Sequence, residues 1–369
     1  MKTIITLLSF FGCMNITAQN KIIDQKLQKE IKKSPSINYL IFNRDTVLYE
    51  KQIGFSDLKK NIATNKKTTF NAFSITKTFT ALAILQLAEK GKLDIDKPAK
   101  YYLSEFPYSS EITVKQLLNH TSGIPNPVPL NWIHLKKEHQ EFNRNKFFKN
   151  IFKKKSKTKS EPNKKFAYSN LGYVLLGQII ENVSKKSYEE YINTQIIEKL
   201  GIENELGFEI KETHAKGYHK KWSFMNLILG LFIDKSKFMN SEKGKWNSFN
   251  DYYLNGPSYG GLIGTPNSLM IYLQELLKPN SNLISNKYKS LLFTENYTTN
   301  NKPTKMCLSW FKGDLNGNEY YTHAGGGGGF YSEIRIYPEL GIGSVIMFNR
   351  TGMKDERFLD KLDKYFIKQ

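Results

Sequence analysis

The chain has 369 residues, 40% of them hydrophobic and 13% aromatic, which supports a large buried core and excludes a disordered or fibrous protein. Its formal charge of +20 raises nucleic acid as a partner, but the lysines are spread along the chain, with one dense cluster from Lys136 to Lys165. No zinc-finger, helix-turn-helix or aromatic RNA-binding pattern accompanies them, so nucleic acid is set aside, while a basic surface remains suited to anionic envelope polymers or lipid headgroups.

At the N-terminus, Lys2 precedes an apolar run from Ile4 to Gly12, and Ile16 and Ala18 stand where a signal peptidase reads. Residues 1–18 therefore read as an export signal, leaving a domain over 19–369 in the periplasm or cell envelope. Gly12-Cys13 allows a second reading, a lipoprotein anchored at Cys13. Cleavage after Ala18 leaves Cys307 as the only cysteine, which excludes an intrachain disulfide.

Ile22–Lys33 reads as a helix, and Ile37–Leu48 with Tyr49–Phe55 as a hairpin turning at Asn43-Arg44-Asp45. Helical patterns follow at Ile75–Lys90, Val114–Asn119, Leu171–Val183 and Tyr188–Leu200. Between them Glu138–Pro162 is basic and poor in apolar residues, as expected of a surface insertion. Trp222–Ile233 is densely apolar yet too short to span a bilayer; it suits a lid, a buried helix, or a peripheral envelope or membrane contact. Strands are expected at Cys307–Lys312, Glu319–His323, Phe330–Tyr337 and Ile342–Phe348, then a helix from Met353 to Ile367. The order predicts an α+β fold: an antiparallel sheet built from both chain ends (about 20–73 and 255–369), flanked by N- and C-terminal helices, with a mostly helical region (about 74–254) inserted.

Three short motifs carry chemistry. Ser74-Ile75-Thr76-Lys77 opens a strong helix, so residues three apart share a face and the Lys77 amine lies beside the Ser74 hydroxyl. The free N–H groups of that first turn favour a developing oxyanion. Ser-x-x-Lys recurs at Ser56, Ser156 and Ser309, but only Ser74 begins a helix. Tyr168-Ser169-Asn170 precedes a later helix; a phenol beside an ammonium can exchange a proton with a serine, and a carboxamide can hold a substrate amide. A buried tyrosine with a helix-capping Ser or Asn gives the same letters. His323-Ala324-Gly325 ends a predicted strand, and the glycines from Gly325 to Gly329 permit close backbone approach, although such a run also suits a flexible turn.

In that order, these motifs resemble the penicillin-recognising serine hydrolases, especially the branch of class C β-lactamases and D-Ala-D-Ala carboxypeptidases. Leu117-Leu118-Asn119-His120-Thr121-Ser122-Gly123-Ile124-Pro125, Asn170-Leu171-Gly172-Tyr173, and Gly260-Gly261-Leu262 followed by Thr265-Pro266 are similar to the same family, and the likeness runs from Tyr39 to Asn349. The resemblance implies the β-lactamase/transpeptidase fold and a Ser74 acyl-enzyme, with Lys77 and Tyr168 exchanging the proton. It implies that Asn170 orients the substrate amide, that backbone N–H groups of Ser74 and Gly326 hold the oxyanion, and that His323 and Gly325 form the third motif. His120 falls in a structural turn. No metal or organic cofactor is implied; the substrate would be a small-molecule or peptide acyl donor, cell-wall material included.

Two departures bear on substrate. His323 stands where many β-lactamases carry lysine, so only partial charge is expected there near neutral pH. This favours an esterase or D-amino-acid peptidase-like activity over β-lactamase. Pro162-Asn163 replaces a common Pro-Gly, a change expected to affect the turn more than the chemistry. Among rivals, Gly256-Pro257-Ser258-Tyr259-Gly260 fits the Gly-x-Ser-x-Gly pattern but lacks the required strand and helix around it. A non-catalytic envelope-binding protein on the same fold is the alternative of another class.

Overall fold

The computed structural model describes residues 19–242, 244–351, 353 and 357–367. The expected export signal at 1–18 and the Cys13 anchor lie outside the described residues.

A helix over residues 19–31 (α1) leads into strand β1 (Ser36–Asn43) and its hairpin partner β2 (Val47–Asp57), followed by the short β3 (Ile62–Ala63). The remaining strands of this sheet come from the other end of the chain: β4 (Phe311–Leu315), β5 (Asn318–Gly327), β6 (Phe330–Tyr337) and β7 (Ile342–Phe348). They form one seven-stranded sheet in the order β4-β5-β6-β7-β1-β2-β3, antiparallel throughout. β1 pairs with β7 from Ile37↔Phe348 to Asn43↔Ile342, so the sheet is indeed closed by both chain ends.

Alternation along β1 explains why the sheet is covered on both faces. Ile37, Tyr39 and Ile41 join Ile23 and Leu27 of α1 and Phe358, Leu359 and Leu362 of the C-terminus in one core. Leu40 and Phe42 turn the other way, into the larger core shared with the helical region. Asp363 ties the C-terminal segment to the sheet by accepting from Tyr39, Tyr337 and Ser344.

The centre of the helical region is α2 (Thr76–Glu89), buried on every side from Thr76 to Ala88. A helix surrounded by its own protein needs no polar face. The expected helix at Leu171–Val183 appears as Asn170–Ser184. Tyr188–Leu200 is helical throughout but changes pitch, from α at Tyr188–Ile192 through a π turn at Asn193–Ile197 to a 3-10 turn at Glu198–Leu200.

Several expectations are corrected. The expected strand at Cys307–Lys312 starts only at Phe311; Met306 bridges Phe311 and the residues between form a tight turn. The final helix is short, Asp360–Asp363, with turns around it. The inserted region also holds small two- and three-stranded sheets, among them Tyr218–Lys220, Met239–Ser241 and Trp246–Phe249. The basic 138–162 segment is more than a surface insertion. Its helix Arg144–Lys154 sends Phe148 and Phe152 into the main core, while Arg144 pairs with Glu181 and Glu189. Trp222–Ile233 forms a helix, Phe224–Phe232, whose outer apolar side chains are exposed, which overturns the buried-helix reading.

Candidate active site

Ser74 lies in a single 3-10 turn, Phe73–Ile75, that runs directly into α2. The residue before it, Phe73, has φ +47°, a left-handed conformation unfavourable for a bulky side chain. Such strain is held by surrounding structure. Here β5 holds it: a Cβ at Gly325 would lie 2.2 Å from the Ala72 carbonyl oxygen and 2.8 Å from the Ser74 nitrogen, and one at Gly327 would lie 2.8 Å from the Phe73 ring. The glycine run is therefore mostly strand, with alternate members pressed against the turn that presents Ser74.

One helical turn on, Lys77 donates from Nζ to Ser74 Oγ at 3.0 Å and to the Tyr259 carbonyl at 2.6 Å. Tyr168 donates to the same Ser74 Oγ at 2.9 Å. The three side chains thus meet at one oxygen. Lys77 is 0% exposed, ringed by Tyr168, Tyr173 and Tyr259 at 5.0–5.5 Å. Among the described residues no carboxylate pairs with it, and burial pushes its pKa well below the usual 10.5. A buried amine with hydrogen-bond acceptors but no counter-ion is driven toward the neutral form, the form that can take a proton from serine.

Asn170 sits at the first position of its helix, after Ser169, whose Oγ caps the helix by accepting from Gly172 N–H at 3.2 Å. Asn126 holds the Asn170 backbone N–H at 3.0 Å, and the Asn170 Oδ1 is buried without a partner among the described residues. A buried acceptor left unmet suits a substrate N–H.

His323 lies two residues before Gly325 on β5, and so on the same face of the strand. It is 1% exposed, and its Nδ1 is held by the Ser309 carbonyl. Burial, reinforced by the Lys77 charge, pushes its pKa down to about 3. The partial positive charge expected from sequence is therefore absent at neutral pH: His323 is a neutral imidazole. A carbonyl can only accept, so the His323 proton is on Nδ1 and Nε2 offers a lone pair, unpartnered among the described residues.

Sequence reasoning missed one support and placed another. The Tyr259 carbonyl has no side-chain signature, yet it grips Lys77. His120, at φ +59°, packs its ring against that of Tyr168, tilted by 33° with ring centres 4.2 Å apart, and accepts the Ser169 N–H on Nδ1 at 3.1 Å. It holds the tyrosine loop, as a structural reading of that segment expects. Asn163 takes φ +59°, so asparagine serves in the turn where the family's pattern has glycine. Ser258, the rival nucleophile, is 3% exposed; its carbonyl accepts from Thr80 at 2.7 Å, and its side chain fills the space left by Gly177.

The model of the beta-lactamase family matches residues 21–365. The chain belongs to that family. Protein flp of Staphylococcus aureus (strain N315) is 28% identical over 361 residues, which is 94% of this chain but 66% of that protein's length. Two solved structures share the fold. The octameric penicillin-binding protein homologue from Pyrococcus abyssi has a TM-score of 0.74 at 24% identity, covering 94% of this chain and 76% of that one. The D-amino acid amidase from Ochrobactrum anthropi SV3 has a TM-score of 0.75 at 20% identity, covering 95% of this chain and 96% of that one.

Proposed function

We propose that the protein is an exported hydrolase that cleaves an ester or amide, of the D-amino-acid type, through a Ser74 acyl-enzyme. The observation that carries this reading is the meeting of Lys77 Nζ and Tyr168 Oη on Ser74 Oγ, the amine buried and without a carboxylate partner among the described residues. Ser74 Oγ adds to the substrate carbonyl while its proton passes to the neutral Lys77 amine. The resulting oxyanion is met by the backbone N–H groups of Ser74 and Gly326. Collapse breaks the bond to the alcohol or amine, which leaves with a proton relayed through Tyr168. Water then adds to the acyl-enzyme, gives its proton to the same pair, and releases the acid and Ser74. Asn170 Oδ1 accepts the substrate amide N–H.

The neutral His323 favours a donor whose binding does not depend on a carboxylate at the third motif, hence esters and amides ahead of β-lactams. The name of the D-amino acid amidase that shares this fold supports the same substrate class. The test is intact-mass analysis and turnover of the native protein and Ser74→Ala with p-nitrophenyl esters, D-alanyl amides and peptides, and penicillins. Turnover or an adduct with esters or D-amides, lost in Ser74→Ala, is the expected result. Penicillin turnover alone would move the assignment to β-lactamase. Absence of any labelling by a serine-reactive phosphonate would leave a non-catalytic envelope-binding protein.

A further inference from the structure

The helix Phe224–Phe232 presents apolar residues outward. Trp222 is 90% exposed, Phe224 75%, Leu227 69% and Leu231 79%. Positions 224, 227 and 231 fall on one helical stripe, while Leu229 and Ile233 lie on the opposite side in the main core. This spacing separates an inner apolar face from an outer one. The outer face is contiguous, and surfaces of that kind mark binding sites.

The helix is held firmly beneath that face. Ser223 Oγ caps it by accepting from Asn226 N–H at 3.1 Å and meets His219 Nε2 at 3.1 Å, and Asn226 Nδ2 donates to the Lys221 carbonyl at 2.7 Å. Its supporting strand, Tyr218–Lys220, is joined to the glycine turn that ends β5, since Tyr218 N–H donates to the Gly329 carbonyl at 3.2 Å.

The surroundings of the patch are basic. Between residues 220 and 246 the sequence holds six lysines and two acidic residues. Lys237 is already paired with Glu138 at 2.7 Å. Lys235 lies along the helix itself, its Nζ 3.2 Å from where a Cβ would stand on Gly230. Lys220 and Lys245 lie close enough to repel each other's charge, together with Lys33 at the end of the α1 region. Of the two acids, Asp234 caps the helix Lys235–Phe238 and Glu242 accepts from Ser248. An apolar stripe with a tryptophan at its edge, and around it Lys220, Lys235 and Lys245, which have no ion pair among the described residues although Lys245 donates to the Lys32 carbonyl at 2.9 Å, matches the two halves of an anionic membrane interface: acyl boundary below, phosphate headgroups above. Among the described residues no helix is long and apolar enough to cross a membrane, so the contact is peripheral.

We propose that Trp222, Phe224, Leu227 and Leu231 seat the protein in the surface of an anionic lipid bilayer, with Lys220, Lys235 and Lys245 at the headgroups. The test is co-sedimentation of the full chain with vesicles of phosphatidylcholine alone or mixed with phosphatidylglycerol, read together with tryptophan emission. The expected result is binding to the mixed vesicles with a blue shift of emission, the shift lost in Trp222→Phe. Leu227→Asp with Leu231→Asp should weaken binding by about tenfold or more, and Lys220→Gln with Lys245→Gln should weaken it and flatten its salt dependence. Because all these side chains are at the surface, unchanged thermal unfolding certifies the variants as folded. Failure to bind mixed vesicles at low salt overturns the proposal, as does equal binding to phosphatidylcholine alone. A concentration-dependent dimer that the double aspartate variant abolishes would assign the patch to a second copy and overturn it as well.

Discussion

Gly325→Ala and Gly326→Ala differ by one residue and should give opposite results. At Gly325 the new methyl would stand 2.2 Å from the Ala72 carbonyl oxygen and 2.8 Å from the Ser74 nitrogen, both backbone atoms that no rotamer can clear. The approach is roughly 1 Å too close for van der Waals contact, so β5 and the Ser74 turn must separate by about that distance. A displacement of about 1 Å between reacting groups costs on the order of a hundredfold in rate, about 2.7 kcal/mol of barrier. Overpacking should also lower stability by about 1–3 kcal/mol. At Gly326 the methyl points to the other face and meets Tyr331 Cδ2 at 3.6 Å, an ordinary contact that leaves the backbone N–H in place. The assay is kcat and KM on the ester that proves to be turned over, with urea unfolding of each variant. Full activity in Gly325→Ala would refute the reasoning, and so would an equal fall in both variants, which would mean that loss of any glycine matters and not the contact with Ser74.

The remaining predictions concern titration and the choice of nucleophile. Because Lys77 must be neutral to accept the serine proton and its pKa lies well below 10.5, acylation should rise with pH and level off far below the range of a free lysine; the pH profile of kcat/KM checks this. Lys77→Met should lower kcat by about a thousandfold while leaving the fold at least as resistant to heat at neutral pH, since a buried unpaired amine is removed. His323 binds its proton at about 3 in the folded chain against 6.5 unfolded, so its contribution to stability is complete above 6.5 and is lost as pH falls toward 3. Between pH 7 and 4, native stability should fall by about 3 kcal/mol more than that of His323→Gln in urea titrations. Ser258→Ala should keep its activity and its phosphonate label, because Ser258 is a packing residue behind Gly177.

The legible parts of this protein are those in which side-chain identity and spacing carry the signal. Ser74 and Lys77 are three apart at a helix start, and the structure brings their polar atoms to 3.0 Å. β1, β6 and β7 are long enough to be recognised as strands, and their order already implies a sheet closed by both chain ends. The strands at 218–220 and 239–241 have three residues each, too few for alternation to be distinguished from loop. Tyr168 was legible only through its neighbours, as part of a motif near a helix start. Its 2.9 Å approach to Ser74 spans 94 residues of sequence.

Burial was the part that composition and spacing could not supply, and burial decides the chemistry here. A histidine in the third motif reads from sequence as a half-charged group, because the free imidazole titrates near neutrality. Enclosed at 1% exposure beside Lys77, with its Nδ1 proton given to the Ser309 carbonyl, the same residue is neutral. Lys77 is shifted in the same sense for the same reason. Burial disfavours the charged form of both basic residues, so they can share one site without the repulsion that two full charges would bring. A lysine at 323 would bring a second buried amine into this enclosure, and with no carboxylate paired with Lys77 among the described residues, the same burial would press both amines toward the neutral form. In the proposed mechanism, the histidine thus bears on the state of the general base as much as on the choice of substrate.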